Sequence, residues 1–196
     1  YKEAIEKALY QNETQAFSTG EKVFLYDLTN TYFEGQCSAN ALAHRGHSKE
    51  KRTDCPLVTL ALVVDVQGFA VMSQIYKGNQ SEPATLEDIL NRLEADMLPI
   101  LSSVKPMMIM DRGIATRENM ALLIERGYPY TVIERRSEQQ DFLSDFEDLS
   151  TFEQVGQDDE VVYLKKAETE TGSRVLCCSY KRRQKEKSMD QKKETY

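Results

Sequence analysis

The stretch Leu57–Tyr76, LVTLALVVDVQGFAVMSQIY, decides the fold. Its first ten and last eight residues are largely apolar and contain several β-branched side chains, which is typical of strands. The Gln67-Gly68 pair between them is typical of a tight hairpin connection. The sequence therefore predicts two antiparallel strands, with Asp65 as a residue of the turn.

Further strands and helices flank this hairpin. Before it, Val23–Thr29 (VFLYDLT) is rich in apolar, aromatic and β-branched residues, which predicts a buried strand. After it, Thr85 and Asp88 form a capping-box pattern that predicts the start of a helix. The pattern then predicts a strand at Met107–Met110, a helix between Thr116 and Gly127, and a strand at Tyr130–Ile133.

The predicted order is three strands, helix, strand, helix, strand. The first three strands are expected to form an antiparallel meander, and the later ones parallel crossover units. This order is that of the ribonuclease H-like fold, an α/β architecture with a mixed sheet and helices on its faces. Weaker strands at Glu160–Lys165 and Arg174–Ser179 predict a small β-rich insertion.

The composition excludes some classes of protein. The chain has 196 residues, of which 40% are hydrophobic and 29% charged, as expected for a globular protein with a core. It has no apolar run long enough to span a membrane and no signal peptide. It begins at Tyr1 rather than Met, so we expect a piece of a longer protein. Its net charge of −7 taken alone argues against a generic basic nucleic-acid binder.

The charge is unevenly distributed along the chain. Four of the five charged residues of Arg45–Arg52, the basic loop, are basic. Glu134–Thr171 has a local net charge of −8, whereas Lys181–Tyr196 has +4. A solvated surface is the ordinary interpretation of each run, but the segregation leaves room for contact with an anionic partner.

The cysteines indicate a reduced, cytoplasmic chain, because no C-x-x-C pair occurs and Cys177 and Cys178 are adjacent. Two cysteines and two histidines fall within one stretch and are zinc-ligand types, but their spacing is not that of known zinc fingers. We favour a polar loop over a zinc site at these four residues, Cys37, His44, His47 and Cys55.

Two aspartates occupy unusual positions in the predicted strands. One lies where an apolar residue is expected, and the other lies at a strand end where ligands are commonly bound. Asp27 shares a strand face with Leu25 and Thr29, and a carboxylate in a buried strand is costly without a positive partner. Asp111 follows MMIM at the carboxyl end of a parallel-type strand, where open sheets bind ligands, and Gly113 would permit a tight turn there. A hydrogen-bonded structural Asp and a turn-capping Asp are the alternatives.

The predicted topology makes the first and fourth strands neighbours, so Asp27 and Asp111 would face each other. Two close carboxylates repel, and binding Mg²⁺ relieves that repulsion. Paired Mg²⁺ ions can activate a water or a 3′-hydroxyl and stabilise the leaving oxygen of a phosphodiester. The pair therefore predicts phosphoryl transfer on nucleic acid.

A series of motifs runs along the chain in a fixed order. They are YDLTNTYFEG (Tyr26–Gly35), GHSKEKR (Gly46–Arg52), DCPLVTLALVVD (Asp54–Asp65), KGNQSEPATL (Lys77–Leu86), MDRGIAT (Met110–Thr116) and YTVIERR (Tyr130–Arg136). Through these motifs the chain is similar, over Lys22–Lys187, to bacterial insertion-sequence DDE transposases, in the branch with a β-rich insertion before the last catalytic Glu.

The resemblance implies a catalytic-domain fragment with a ribonuclease H-like core that cleaves DNA and transfers strands at transposon ends. It makes Asp27 and Asp111 the first two catalytic, metal-binding acids, with Mg²⁺ as cofactor and Mn²⁺ as a substitute. It also implies transposon-end and target DNA as partners, self-association of the full-length protein, and a cytoplasmic, nucleoid-associated location in a bacterium.

The third acid does not match the family. Its pattern is Tyr, two residues, Arg, three residues, Glu, six residues, Lys, whereas Tyr180, Arg183, Glu186 and Lys193 place Glu186 one residue too early. One residue rotates a helical side chain by about 100°, so Glu186 is a weak candidate. We expect the true Glu beyond Tyr196, after a basic helix.

The basic loop provides candidate contacts to DNA phosphates, with a solvated surface as the alternative for each residue. Arg112, beside Asp111, could also position a phosphate. The loop candidates are His47, Ser48, Lys49, Lys51 and Arg52.

The predicted organisation has four parts: a helical remnant at 1–21, the catalytic core at 22–136, the acidic β-rich insertion at 137–179, and a basic helix at 180–196. Because the third acid is missing, we expect this piece alone to be inactive or a poor catalyst. The alternative function is that of a non-catalytic truncated module that binds DNA or a full-length transposase.

Overall fold

The computed structural model describes residues 1–17, 23–46, 52–97, 105–133, 140–156, 161–169 and 172–185. The chain forms two compact units, Tyr1–Glu134 and Arg135–Tyr196. The elements of the first are α1 (Lys2–Ala16), β1 (Val23–Tyr32), β2 (Leu57–Asp65), β3 (Ala70–Lys77), α2 (Leu86–Arg92), β4 (Met107–Met110), α3 (Arg117–Glu125) and β5 (Tyr130–Val132).

The first unit is built on a five-stranded mixed sheet with the order β3-β2-β1-β4-β5. Strands β1, β2 and β3 pair antiparallel, whereas β4 pairs parallel with both β1 and β5. This topology confirms the α/β, ribonuclease H-like arrangement predicted from the order of elements. It places β1 at the centre, between the meander and the crossover strands.

The core lies on one face of this sheet. Phe24, Tyr26 and Leu28 of β1 are buried with the apolar side chains of α2. Side chains alternate along a strand, so Leu25 and Asp27 lie on the opposite face, where both are exposed. The expectation that β1 is buried around Asp27 was therefore wrong, and the desolvation cost of a buried carboxylate does not arise.

The predicted helix and turn signals had mixed outcomes. Thr116 caps α3 by accepting the Asn119 N–H at 3.2 Å, as predicted. Asp65 Oδ1 accepts the N–H groups of Gln67 and Phe69, both at 2.9 Å, which confirms its turn role. These two signals are local, so they depend on few residues beyond their own segment.

The capping box at Thr85 and Asp88 was wrong. Thr85 does not cap α2 with its side chain, because a 3₁₀ turn, Pro83–Thr85, runs directly into the helix. Its hydroxyl instead lies 2.6 Å from Tyr26 Oη, and Asp88 accepts the Tyr76 O–H at 2.6 Å. Contacts with the sheet therefore replace the local cap.

The second unit contains a three-stranded antiparallel sheet, β6 (Glu153–Val155), β7 (Val162–Thr169) and β8 (Gly172–Ser179), with residues 180–185 helical after it. Strands β7 and β8 correspond to the predicted pair, and β6 was not predicted. All four cysteines are free thiols. In the described parts of the chain, no helix is both long and apolar enough to cross a membrane.

Candidate functional site

The register of β1 and β4 determines where the two aspartates lie. Tyr26 pairs with Met110 in the parallel ladder, and both side chains are buried on the core face. Asp27 directly follows Tyr26, Asp111 directly follows Met110, and both aspartates are exposed. The aspartate pair, Asp27 and Asp111, therefore occupies adjacent positions at the carboxyl end of β4.

A turn follows Asp111 and restrains its side chain. Asp111 Oδ1 accepts the N–H of Arg112 at 2.7 Å, and the Asp111 carbonyl accepts the N–H of Ile114 at 3.1 Å. Gly113 does not have a positive φ, so the tight turn expected from its conformational freedom is not its role. A Cβ at this position would lie 2.5 Å from Glu82 Oε2, so the glycine leaves room for a neighbouring carboxylate.

The residues on the core side of Asp27 are anchored by a short hydrogen-bond chain. Thr85 is fully buried and donates its hydroxyl proton to the Glu82 carbonyl at 2.6 Å. Its oxygen is therefore left to accept from Tyr26 Oη, 2.6 Å away. Burial raises the pKa of Tyr26 above its ordinary value, which keeps the phenol protonated as a donor at neutral pH.

The aspartate pair offers hard oxygen donors of the kind that Mg²⁺ prefers. Among the described residues, no group of three or more His, Cys, Asp or Glu side chains is arranged to hold a metal ion. Glu186 and His47 lie outside these residues, so neither the weak third-acid candidate nor the full zinc quartet is placed. Asp27 and Asp111 are two carboxylate donors at adjacent positions at this end of the sheet.

The candidate DNA contacts are only partly described, since His47, Ser48, Lys49 and Lys51 lie outside the described residues. Arg52 has its guanidinium 5.7 Å from the Tyr32 ring centroid, and it contacts Asp54 through Nε at 3.0 Å and Nη2 at 2.5 Å. This bidentate contact lowers the pKa of Asp54 to about 2. Arg112 is exposed in the turn beside Asp111.

The base of the basic loop is held by close backbone packing that the sequence analysis missed. His44 forms an isolated bridge with Leu57, and Gly78 donates its N–H to the Leu42 carbonyl at 3.1 Å. Gly78 packs so tightly against the carbonyls of His44 and Leu57 that a Cβ would collide with both. The glycine of the KGN motif was the available signal for this contact.

Two further side chains near the aspartate pair were also missed. Glu82 approaches Gly113, as described above, and Asn119 is buried although it lies on a helix. Their motifs, SEPAT and RENM, gave no local pattern of a site, because their partners are distant in sequence. Asn119 could be recognised as a candidate site residue only after the structure had shown which face of α3 is buried.

The second unit contains a pocket of about 170 Å³ beside β7 and β8. Tyr180 and Arg183 line it, and both belong to the near-match of the family's Tyr-Arg-Glu-Lys pattern. Tyr163, Cys178, Leu149 and Gln184 complete the lining.

Comparisons with known proteins identify the family. A family model described as the transposase DDE domain matches residues 18–196. No curated protein matches the chain.

The solved structures that are similar to the chain at low identity include three transposase structures. The piggyBac transposase synaptic complex with hairpin DNA has a TM-score of 0.43 and 12% identity over 82% of this chain and 34% of that chain. The Mos1 transposase paired-end complex with the left transposon end has a TM-score of 0.41 and 10% identity, and the match covers 72% of this chain and 43% of that chain. The catalytic domain of Mos1 mariner transposase has a TM-score of 0.37 and 8% identity, and the match covers 74% of this chain and 78% of that chain.

The chain spans less than half the length of the first two of these proteins. The family model, in contrast, extends over nearly the whole sequence and includes both aspartates. The chain belongs to the transposase DDE domain family.

Proposed function

We propose that the chain is part of the catalytic domain of a DNA transposase, in which Asp27 and Asp111 are the metal-binding acids. The observation that carries this proposal is the parallel register of β1 and β4, which gives the two carboxylates adjacent positions on one face. The membership of the family and the ligand-binding character of this sheet edge support it.

The donor chemistry fits a hard divalent cation. Asp27 and Asp111 would hold Mg²⁺, or Mn²⁺ as a substitute, through carboxylate oxygens. When bound, the ion supplies charge stabilisation and a more acidic water or 3′-hydroxyl for attack on a phosphodiester. The protein holds the Asp111 carboxylate through the Arg112 N–H and keeps both acids exposed to a DNA strand.

Arg112 and the basic loop are proposed to position the DNA backbone. Arg112 is exposed beside the aspartate pair, so its guanidinium can reach a phosphate at that edge. Arg52 is already in contact with Asp54, so a phosphate would compete with the Asp54 carboxylate for the guanidinium.

We also propose DNA as the partner, self-association of the full-length protein, and a cytoplasmic and nucleoid-associated location. The proposed organisation of the chain is the four-part division at 1–21, 22–136, 137–179 and 180–196.

One observation favours a second function. Among the described residues, no group of three or more His, Cys, Asp or Glu side chains is arranged to hold a metal ion, whereas the resemblance to the family implies three acids. The chain would then be a non-catalytic module that binds DNA or a full-length transposase, and metal-dependent nicking of supercoiled plasmid DNA by this chain would exclude that role. Under the leading proposal this piece alone is a poor catalyst, so metal binding is the sharper first test.

Titration of the chain with Mn²⁺ in a calorimeter tests the metal site. We expect binding in the wild-type chain and its loss in the Asp27→Asn, Asp111→Asn double variant, because amides are weaker ligands than carboxylates. Glu125→Gln, at the exposed end of α3, is the matched control and should bind as the wild type does. Unchanged binding in the double variant would rule out the proposed site.

A further inference from the structure

We propose that Asn119 is a positioning residue for the aspartate pair, because it ties the turn after Asp111 to the 3₁₀ turn whose Thr85 contacts Tyr26, the residue before Asp27. This inference rests on the proposed function, because it concerns the geometry of the same metal-binding edge. Asn119 lies on α3 and is only 8% exposed, and nothing in the sequence pattern marks it as part of a site.

The side chain of Asn119 bridges two turns that are distant in sequence. Its Nδ2 donates to the Pro83 carbonyl at 2.9 Å and to the Ile114 carbonyl at 2.7 Å. A carbonyl can only accept, so both protons of the amide nitrogen are used, and the orientation of the amide is determined by its partners. Among uncharged side chains, only the amides of Asn and Gln offer two such protons from one atom, and Asn is the shorter of the two.

One end of this bridge leads to Asp111. Ile114, whose carbonyl Asn119 contacts, donates its own N–H to the Asp111 carbonyl at 3.1 Å. Between these residues, the Arg112 N–H contacts Asp111 Oδ1 at 2.7 Å. A displacement of Ile114 would therefore alter the turn that holds the Asp111 carboxylate.

The other end leads to Asp27. Pro83 begins the 3₁₀ turn that ends at Thr85, and the Thr85 hydroxyl is bonded to Tyr26 Oη. Tyr26 is the residue before Asp27 in β1. The bridge through Asn119 is thus a second connection between the two aspartates, in addition to the β1–β4 ladder.

The two turns also meet at a point that does not involve Asn119. Glu82 Oε2 lies so close to Gly113 that a Cβ there would be 2.5 Å away. This contact brings a carboxylate against the backbone beside Asp111, where a small displacement of either turn changes the distance between the two charges and so the local electrostatic potential. A bridge that holds the spacing of the turns therefore matters for cation binding as well as for folding.

The first test measures Mn²⁺ affinity of the whole chain by calorimetry, at a temperature where every variant is folded. We expect Asn119→Ala to weaken binding about tenfold, as is typical when the groups behind a metal ligand are removed. Thr59→Val is the matched control: it removes a buried hydroxyl that donates to Asn30 Oδ1 at 3.1 Å, and should lower the melting temperature without changing the affinity. Equal affinity in Asn119→Ala and wild type overturns the inference.

The second test does not depend on metal binding, so it separates this inference from the proposed function. Amide hydrogen exchange is compared at 81–85 and 111–116 in the wild type, Asn119→Ala and Thr59→Val, without added metal. We expect exchange to accelerate in both segments in Asn119→Ala and in neither segment in Thr59→Val. If the wild type binds no Mn²⁺ the proposed function fails, but unchanged exchange in Asn119→Ala is what shows that Asn119 does not tie the turns together.

Discussion

Two glycines, one at the base of the basic loop and one in the turn after Asp111, show how the absence of a side chain permits close packing. Gly78 and Gly113 both lack space for a Cβ, but their neighbours differ. Gly78 faces the backbone carbonyls of His44 and of Leu57, the first residue of β2, whereas Gly113 faces the end of the flexible Glu82 side chain. The two glycines therefore differ in what a methyl group would displace.

We expect Gly78→Ala to destabilise the fold by more than about 2 kcal/mol, because the backbone at His44 or Leu57 must shift. Gly113→Ala should cost less than about 1 kcal/mol, because Glu82 can rotate away. Urea denaturation followed by circular dichroism measures both. Equal losses in the two variants would contradict this assignment of rigid and flexible neighbours.

The Arg52–Asp54 contact predicts an unusual titration. The guanidinium lowers the pKa of Asp54 from its ordinary 3.8 to about 2, so the pair is intact above pH 3.8 and is lost as the pH falls through about 2. We expect Arg52→Ala to return this pKa towards 3.8, as measured by NMR of the Asp54 carboxyl carbon. Arg45→Ala is the control and should raise it less, because Arg45 makes only a weaker, through-space contribution.

At the scale of elements, α1 is attached to the sheet by polar contacts. Glu6 Oε1 accepts from the Ser73 N–H at 2.9 Å and from the Ser73 hydroxyl at 2.7 Å, and Glu6 Oε2 lies 3.6 Å from Arg92 Nη2. Glu6 and Arg92 are both mostly buried, with side chains 16% exposed. Tyr10 adds an edge-to-face contact with Phe24, and burial raises its pKa to about 12.

Glu6→Ala should therefore destabilise the chain by about 1–3 kcal/mol, because it leaves the Ser73 N–H without its acceptor and removes the carboxylate beside Arg92. Glu3→Ala, on the exposed side of the same helix, should change stability by less than about 0.5 kcal/mol. Thermal and urea unfolding measure both variants. A small effect in Glu6→Ala would mean that α1 is held mainly by Tyr10.

The sequence predicted elements well where their signals are local. The β2–β3 hairpin, the Thr116 cap and the strand order follow from turn residues, apolar runs and spacing, and all are found in the structure. The failures involve tertiary contacts: Thr85 bonds Tyr26 rather than capping α2, and the face of β1 that carries Asp27 is exposed. Neither can be inferred from residues nearby in sequence. The Thr85 contact depends on a residue of another element, and the exposure of Asp27 depends on which face of β1 the other elements cover.

The candidate site was predictable to the same extent. Asp27 and Asp111 stand out in their strands, whereas Asn119 becomes noticeable only through its contacts with Pro83 and Ile114. An asparagine inside an amphipathic helix is ordinarily exposed, so the pattern alone favours a surface residue. The adjacent positions of the two aspartates were thus predictable from the sequence, whereas the contacts of Asn119 were not.

At the scale of the whole molecule, the net charge of −7 does not oppose binding to DNA. The acidic excess lies in Glu134–Thr171, whereas the basic loop and Lys181–Tyr196 are positive. Because screening limits electrostatic interactions to about 10 Å at ordinary ionic strength, a phosphate senses the nearest segment rather than the total. The separate segments, rather than the total, should therefore govern the salt dependence.

We expect affinity for a DNA duplex to fall as salt rises, and the Lys49→Gln, Lys51→Gln double variant to reduce the magnitude of the log–log slope by about two. The Lys7→Gln, Lys166→Gln double variant removes the same charge outside the basic loop and should leave the slope unchanged. Fluorescence anisotropy over a salt series measures both. Equal slopes in the two double variants would assign the contacts to other residues.

The parallel register of β1 and β4 also has a genetic consequence. Side chains alternate along each strand, so inserting or deleting one codon before Asp27 in β1, or before Asp111 in β4, would turn one carboxylate towards the core. A missense change between apolar residues at Phe24 or Met108 leaves both acids on their shared face. Over evolutionary time, these strands can therefore drift in residue identity far more freely than in length.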